Sequence, residues 1–171
     1  KGEWQKSASE LEAERMARQS AGGVAWSAAT ISSWTDDPAF EGGDGHHMYM
    51  APARLRRARG LRAGEYGAFK PEELDSFRVG DIVCASRNGK QVADRDVFDD
   101  IRPASGNHCD IVAGFVENSK GETEVQLLGG NLGNSISRRT WRKNSLSGVA
   151  GGKHPDPGHA GYRGFMVIRK A

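Results

Sequence analysis

Asn107-His108-Cys109-Asp110-Ile111-Val112-Ala113-Gly114-Phe115 is the stretch whose reading settles the architecture. It is rich in β-branched, aromatic and small apolar residues, and it predicts a buried strand over residues 109–117 with a histidine at its mouth. Side chains alternate along a strand, so His108 and Asp110 fall on one face. Cys109, Ile111, Ala113 and Phe115 fall on the other, the expected core face. A histidine at the mouth of a buried strand is held in one orientation and can face a cleft, which makes His108 a candidate acid/base. The plainer reading is a structural histidine, with Cys109 a core residue.

Outward from this strand, β character continues toward the C-terminus. Residues 79–87, 123–128 and 162–169 have the same composition, and 136–141 form a weaker candidate. Asn118-Ser119-Lys120-Gly121 reads as a hairpin turn. Residues 148–161, with five glycines, two prolines and two histidines, read as a loop.

Toward the N-terminus the pattern is helical. Residues 7–20 suit a first helix, with Ser7 or Ser9 as cap, Glu10 and Glu12 in the first turn, and Leu11, Met16 and Ala17 as apolar positions. Residues 24–34 suit a second, with Ser27, Ile31 and Trp34 on one face and Asp36-Asp37-Pro38 as its stop. A glycine-rich link over 41–45 leads to His46-His47-Met48-Tyr49-Met50 and a third helix, with Pro52 in or near its first turn. Pro71-Glu72-Glu73-Leu74 reads as a short helical turn. Helices first and antiparallel strands second make an α+β arrangement, and no internal repeat is visible.

The 171 residues suit one domain, 1–171, with its core within residues 7–170. A chain of this size can bury a core without cross-links, and two cysteines, Cys84 and Cys109, make neither a disulfide framework nor a CxxC metal motif. Lys and Arg number 24 against 22 Asp and Glu, a balance that gives no argument from charge for nucleic acid, which is not an expected partner. Arg54, Arg56, Arg57, Arg59 and Arg62 read as a solvated helix face, or else as a patch for an anionic polymer. No apolar run reaches the about 20 residues that cross a bilayer, so no membrane partner is expected. No signal peptide is visible within this sequence.

Two further segments carry chemistry. Ser27 stands near the start of the 24–34 helix beside Ala28 and Ala29, small neighbours that let a helix approach a sheet closely. A nucleophile at a helix N-terminus gains from the positive end of the dipole; the plainer reading is a capping serine. In Leu127-Leu128-Gly129-Gly130-Asn131, an asparagine just past a strand can orient a catalytic imidazole, or simply shape a turn. His46 and His47 point about 100° apart on a helix and share no metal face. His154 and His159 have no acidic partner at a recognised spacing, so no metal and no cofactor are expected.

Taken together, these segments resemble an uncharacterised bacterial domain family related to the NlpC-type cell-wall peptidases and the CHAP amidases. The resemblance is carried by the 26–34 helix, His47-Met48-Tyr49, Val79-Gly80-Asp81-Ile82-Val83-Cys84, His108-Cys109-Asp110-Ile111-Val112 and Gly129-Gly130-Asn131. Gly80-Asp81-Ile82-Val83 is similar to the Gly-Asp-Leu-Val strand entry of NlpC domains, and His108 to the histidine that opens their next strand. The resemblance implies a papain-like fold, with N-terminal helices packed on an antiparallel sheet or half-barrel. It further implies amide-bond hydrolysis in peptidoglycan, in a secreted or periplasmic setting that includes antibacterial effectors with an immunity or carrier protein.

Active relatives in the wider superfamily carry a cysteine nucleophile where this chain has Ser27. Three explanations stand: a serine nucleophile native to this branch, an inactive site, or a Cys→Ser change. Serine has a far higher pKa than a thiol and needs stronger base assistance. On this resemblance Ser27 attacks, His108 is base and then acid, and Asn131 or Asp110 orients the imidazole. A second pairing joins Cys109 with His47; strand alternation opposes it, because a thiol in the core is inert, unless a bulge near Asn107 turns it outward. The rival reading from the binding class is a catalytically dead papain-like module that holds wall fragments or a protein partner.

Overall fold

The structure, a computed structural model, describes residues 27–86, 107–132, 135–142 and 163–171. The expected 7–20 helix and 148–161 loop lie outside the described residues. Among the described residues, α1 (Ser27–Trp34) and α2 (His47–Arg59) are followed by β1 (Tyr66–Phe69), a 3-10 turn at Pro71–Glu73, β2 (Ile82–Ser86), β3 (Asn107–Glu117), β4 (Thr123–Leu132), β5 (Ser135–Arg142) and β6 (Arg163–Lys170). The six strands form one sheet in the order β1-β6-β2-β3-β4-β5, antiparallel at every pairing. The α+β class is therefore as expected.

The β3–β4 hairpin is built locally. Asn118 Oδ1 accepts from the Lys120 and Glu122 backbone N–H groups at 2.9 and 3.0 Å, and Gly121 supplies the positive φ of 75° that the turn requires. The opposite half of the sheet is non-local: β6, from the C-terminus, lies between β1 and β2. Strand β1 was not expected. Its four residues, Tyr66-Gly67-Ala68-Phe69, carry too little β signal by themselves and are held at the edge by pairing with β6.

Both faces of the sheet are covered, which explains why Ile82-Val83-Cys84-Ala85 is apolar without alternation. On the helix side, Ala28 and Ile31 of α1 and Tyr49, Met50 and Ala53 of α2 pack with Tyr66, Ala68, Ile82, Cys84, Cys109, Met166 and Ile168. Burying a side chain such as Ile31 stabilises by about 1.5–3 kcal/mol. A second cluster joins Phe77, Val83, Ala85, Val112, Val125, Leu127 and Val167.

Three details depart from the sequence reading. Cys84 and Cys109 stand opposite each other across β2 and β3 and form a disulfide, closing a separation of 25 residues. Phe115 is exposed rather than buried, because a register shift between Val112 and Gly114 inverts the alternation beyond it. Pro52 lies inside α2, past its first turn. The arginine-rich stretch agrees with the solvated-face reading: Arg57, Arg59 and Arg62 are exposed, and Arg56, Arg57 and Arg59 meet Glu41, Glu73 and Glu65 respectively.

Arg169 of β6 locks the β2 entry. Its guanidinium donates through Nε to Asp81 Oδ1 at 2.8 Å and through Nη2 to Asp81 Oδ2 at 2.6 Å, in the two-pronged geometry that suits a planar fork. A further bond to Ser76 O and the Arg78 N–H to Asp81 Oδ2 complete the corner. Asp81, part of the Gly80-Asp81-Ile82-Val83 segment, is thus a buried structural carboxylate.

Candidate active site

Four segments meet where β3 begins and β4 ends: the first described residues of α1, the head of α2, the mouth of β3 and the Gly129-Gly130 pair. The two glycines make the meeting possible. A Cβ at Gly130 would stand 2.5 Å from Thr30 Oγ1 and 2.8 Å from Thr30 Cβ, so only a glycine lets α1 lie this close to β4. A Cβ at Gly129 would overlap the Asp110 carboxylate, so this position is kept bare for that group.

The link from α1 to α2 is tied down by Ser32. Its hydroxyl accepts from Gly43 N–H at 2.8 Å and shares its own proton between Ala28 O and Gly43 O. This clamps the glycine-rich 41–45 connection against α1 and delivers His46, the residue that caps α2, to Ser27. Ser27 Oγ lies 2.7 Å from His46 Nε2. The other ring nitrogen, Nδ1, is hydrogen-bonded to the Tyr49 hydroxyl, three residues on along α2.

A second polar pair adjoins the first. His108 Nε2 and Asp110 Oδ1 lie 2.9 Å apart, the shared strand face expected from alternation bringing them together. The His108 ring stands edge-on to the His46 ring, with centroids 5.9 Å apart. Ser27, His108 and Tyr49 are each 1% exposed and Asp110 is 4% exposed, so this is an interior polar cluster. Burial, reinforced by the Asp110 charge, holds the Tyr49 phenol well above its usual range, and it stays neutral at any ordinary pH. Its ring is seated against Phe40, 5.2 Å between centroids, and Phe40 in turn against Tyr66.

The residues named from sequence therefore divide. Ser27, His108 and Asp110 come together in one cluster, but the Ser27 hydroxyl bonds His46 rather than His108. A solvent-open groove between Ser27 and His108 is not what the burial of both residues describes. His47, the alternative base, lies against Gly45 instead. Its proposed nucleophile, Cys109, is buried with its sulfur in the bridge to Cys84, so the Cys109–His47 pairing has no thiol to use. Asn131 lies within β4 rather than just past a strand, and its side chain lies outside the described residues.

His46 and Tyr49 are the site residues that sequence reasoning passed over. The signal was available: a histidine and a tyrosine three apart at the head of a helix share one face.

Comparison with curated proteins and with solved structures finds no match. A family model does match, over residues 2–151, and its description is "Uncharacterized protein conserved in bacteria (DUF2272)". That match spans most of the chain's length, and the chain belongs to this bacterial family.

Proposed function

We propose that this chain is a papain-like hydrolase that cleaves an amide bond in peptidoglycan, with Ser27 as its nucleophile. The observation that carries the reading is the 2.7 Å contact between the Ser27 hydroxyl and an imidazole nitrogen, beside a buried His108–Asp110 pair. A serine hydroxyl is a weak nucleophile until a base receives its proton, and a hydrogen-bonded imidazole is the group that does so. Ser27 Oγ bonds to the carbonyl carbon, the C–N bond breaks, and the amine leaves with the proton that the imidazole took. Water then hydrolyses the ester and restores the serine.

The choice of wall peptides rests on the resemblance of the Ser27 helix, the Gly80-Asp81-Ile82-Val83 entry and the His108 strand to NlpC-type domains. The Cys84–Cys109 bridge supports a secreted or periplasmic place of action, since disulfides persist in oxidising compartments. An effector delivered between bacteria, with an immunity or carrier protein as partner, fits both points.

Digestion of purified peptidoglycan, read by mass spectrometry of released muropeptides, tests the proposal. The native chain is expected to release new peptide termini and Ser27→Ala to release none. Wall peptides left intact by the native chain and by Ser27→Cys would remove the hydrolase reading.

One observation favours a second reading, a module that binds wall fragments without cutting them. Ser27 and His108 are almost wholly enclosed, and a substrate carbonyl must reach Ser27 for catalysis. On that reading muropeptides bind the native chain and Ser27→Ala equally, and calorimetry shows binding with no product formed.

A further inference from the structure

Building on the Ser27 nucleophile proposed above, we infer that His46, not His108, is the base that takes the Ser27 proton, and that Tyr49 is the positioning residue that holds the His46 ring with Nε2 toward the serine. Imidazole has two nitrogens, and in its neutral form one carries a proton while the other offers a lone pair. The Ser27 hydroxyl faces Nε2 at 2.7 Å. For this contact to prepare the serine for attack, Nε2 must be the lone-pair nitrogen and Nδ1 must bear the proton. Nδ1 is hydrogen-bonded to the Tyr49 hydroxyl, which can accept from a protonated Nδ1 and holds the ring with Nε2 toward Ser27.

The arrangement is built into the helix. His46 caps α2 and Tyr49 lies in its first turn, so their spacing is set by helix geometry rather than by a distant loop. The Tyr49 ring is fixed by Phe40, and its phenol is neutral. It therefore orients the imidazole without placing a second charge in the core, a role that a carboxylate fills in charged triads. His108 is differently engaged: its Nε2 faces Asp110 at 2.9 Å. That nitrogen is committed to a carboxylate on its own strand, while the nitrogen nearest the Ser27 proton belongs to His46.

Two measurements on the full chain test this. The first is the long-range proton–nitrogen spectrum of the histidine rings, with His46 assigned by loss of its signals in His46→Gln. The native ring is expected to show a protonated Nδ1 and an unprotonated Nε2. Tyr49→Phe, which keeps the ring against Phe40, is expected to shift and broaden the His46 ring signals, because the anchor at Nδ1 is lost. A protonated Nε2 in the native chain, or a spectrum unchanged in Tyr49→Phe, would overturn the assignment.

The second measurement is covalent labelling by a fluorophosphonate, located by peptide mass mapping. Ser27 Oγ bonds to phosphorus, the P–F bond breaks, fluoride leaves and the serine proton passes to His46 Nε2. His46→Gln is expected to slow labelling by about 100-fold, the usual share of a general base. Tyr49→Phe should fall between it and the native chain. A larger loss in His108→Gln than in His46→Gln, or no label on Ser27 in the native chain, would overturn the assignment. Intact wall peptides alongside His46-dependent labelling would fault the substrate and leave the base standing.

Discussion

A Cβ atom on Gly129 would lie 1.7 Å from Asp110 Oδ1 and 3.1 Å from His108 Nε2. The backbone of β4 is thus the floor on which the buried His108–Asp110 pair rests, and a bare floor is a condition of the pair. In Gly129→Ala the carboxylate must move or β4 must retreat. Overpacking of this kind costs about 1–3 kcal/mol, to be read as a lower urea midpoint. Gly114→Ala is the control, since its Cβ would meet nothing nearer than Gln126 Oε1 at 3.9 Å, and its midpoint should not fall.

Arg169 and Asp81 are joined by two hydrogen bonds, and Asp81 is 2% exposed. Arg169→Met strands a buried carboxylate, a loss of about 3–5 kcal/mol. Arg169→Met with Asp81→Asn should recover part of it, because the double change leaves no uncompensated charge. Equilibrium denaturation of Arg169→Met, Asp81→Asn, the double variant and the native chain gives the coupling directly.

Reducing the Cys84–Cys109 bridge releases a loop of 25 residues from its constraint on the unfolded chain. The chain-entropy relation puts the loss at about 3.5 kcal/mol, within the usual range for a single bridge. Thermal melts with and without reductant should separate accordingly. Cys84→Ala with Cys109→Ala should melt with the reduced form and be indifferent to reductant.

Tyr66 donates to Asp37 Oδ2 at 3.1 Å, and its phenol is pushed up to about 12 by burial first and by Asp37 second. In the unfolded chain it titrates near 10, so between about 10 and 12 the folded state holds a proton that the unfolded state has lost. The Tyr66 contribution to stability is therefore complete below pH 10 and lost as pH rises through 12. Tyr66→Phe should show a shallower decline over this window, and ultraviolet titration should show one late-ionising tyrosine fewer.

Much was legible in the residues alone. Period and composition located both described helices, the Pro71–Glu73 turn, and five of the six described strands to within a few residues at either end. The shared face of His108 and Asp110 followed from the pleat, and the burial of Cys109 from its apolar neighbours. These are local properties, because a strand's alternation and a helix's period are imposed by each residue's immediate backbone. Strand β1 escaped for the complementary reason: Tyr66–Phe69 is extended because β6 pairs with it, and β6 is a hundred residues further on.

Which histidine meets Ser27 depended on contacts no local pattern encodes. Ser32 clamping Gly43, Gly130 admitting Thr30 and Gly129 admitting Asp110 together decide that His46 arrives at the serine and His108 stands beside it. The same holds for the bridge, since Cys84 and Cys109 become neighbours only through the register of β2 on β3. Chemical identity along a chain names the candidate groups. Their partners are chosen by packing, because hydrogen bonds act over about 3 Å and sequence separation carries no information at that range.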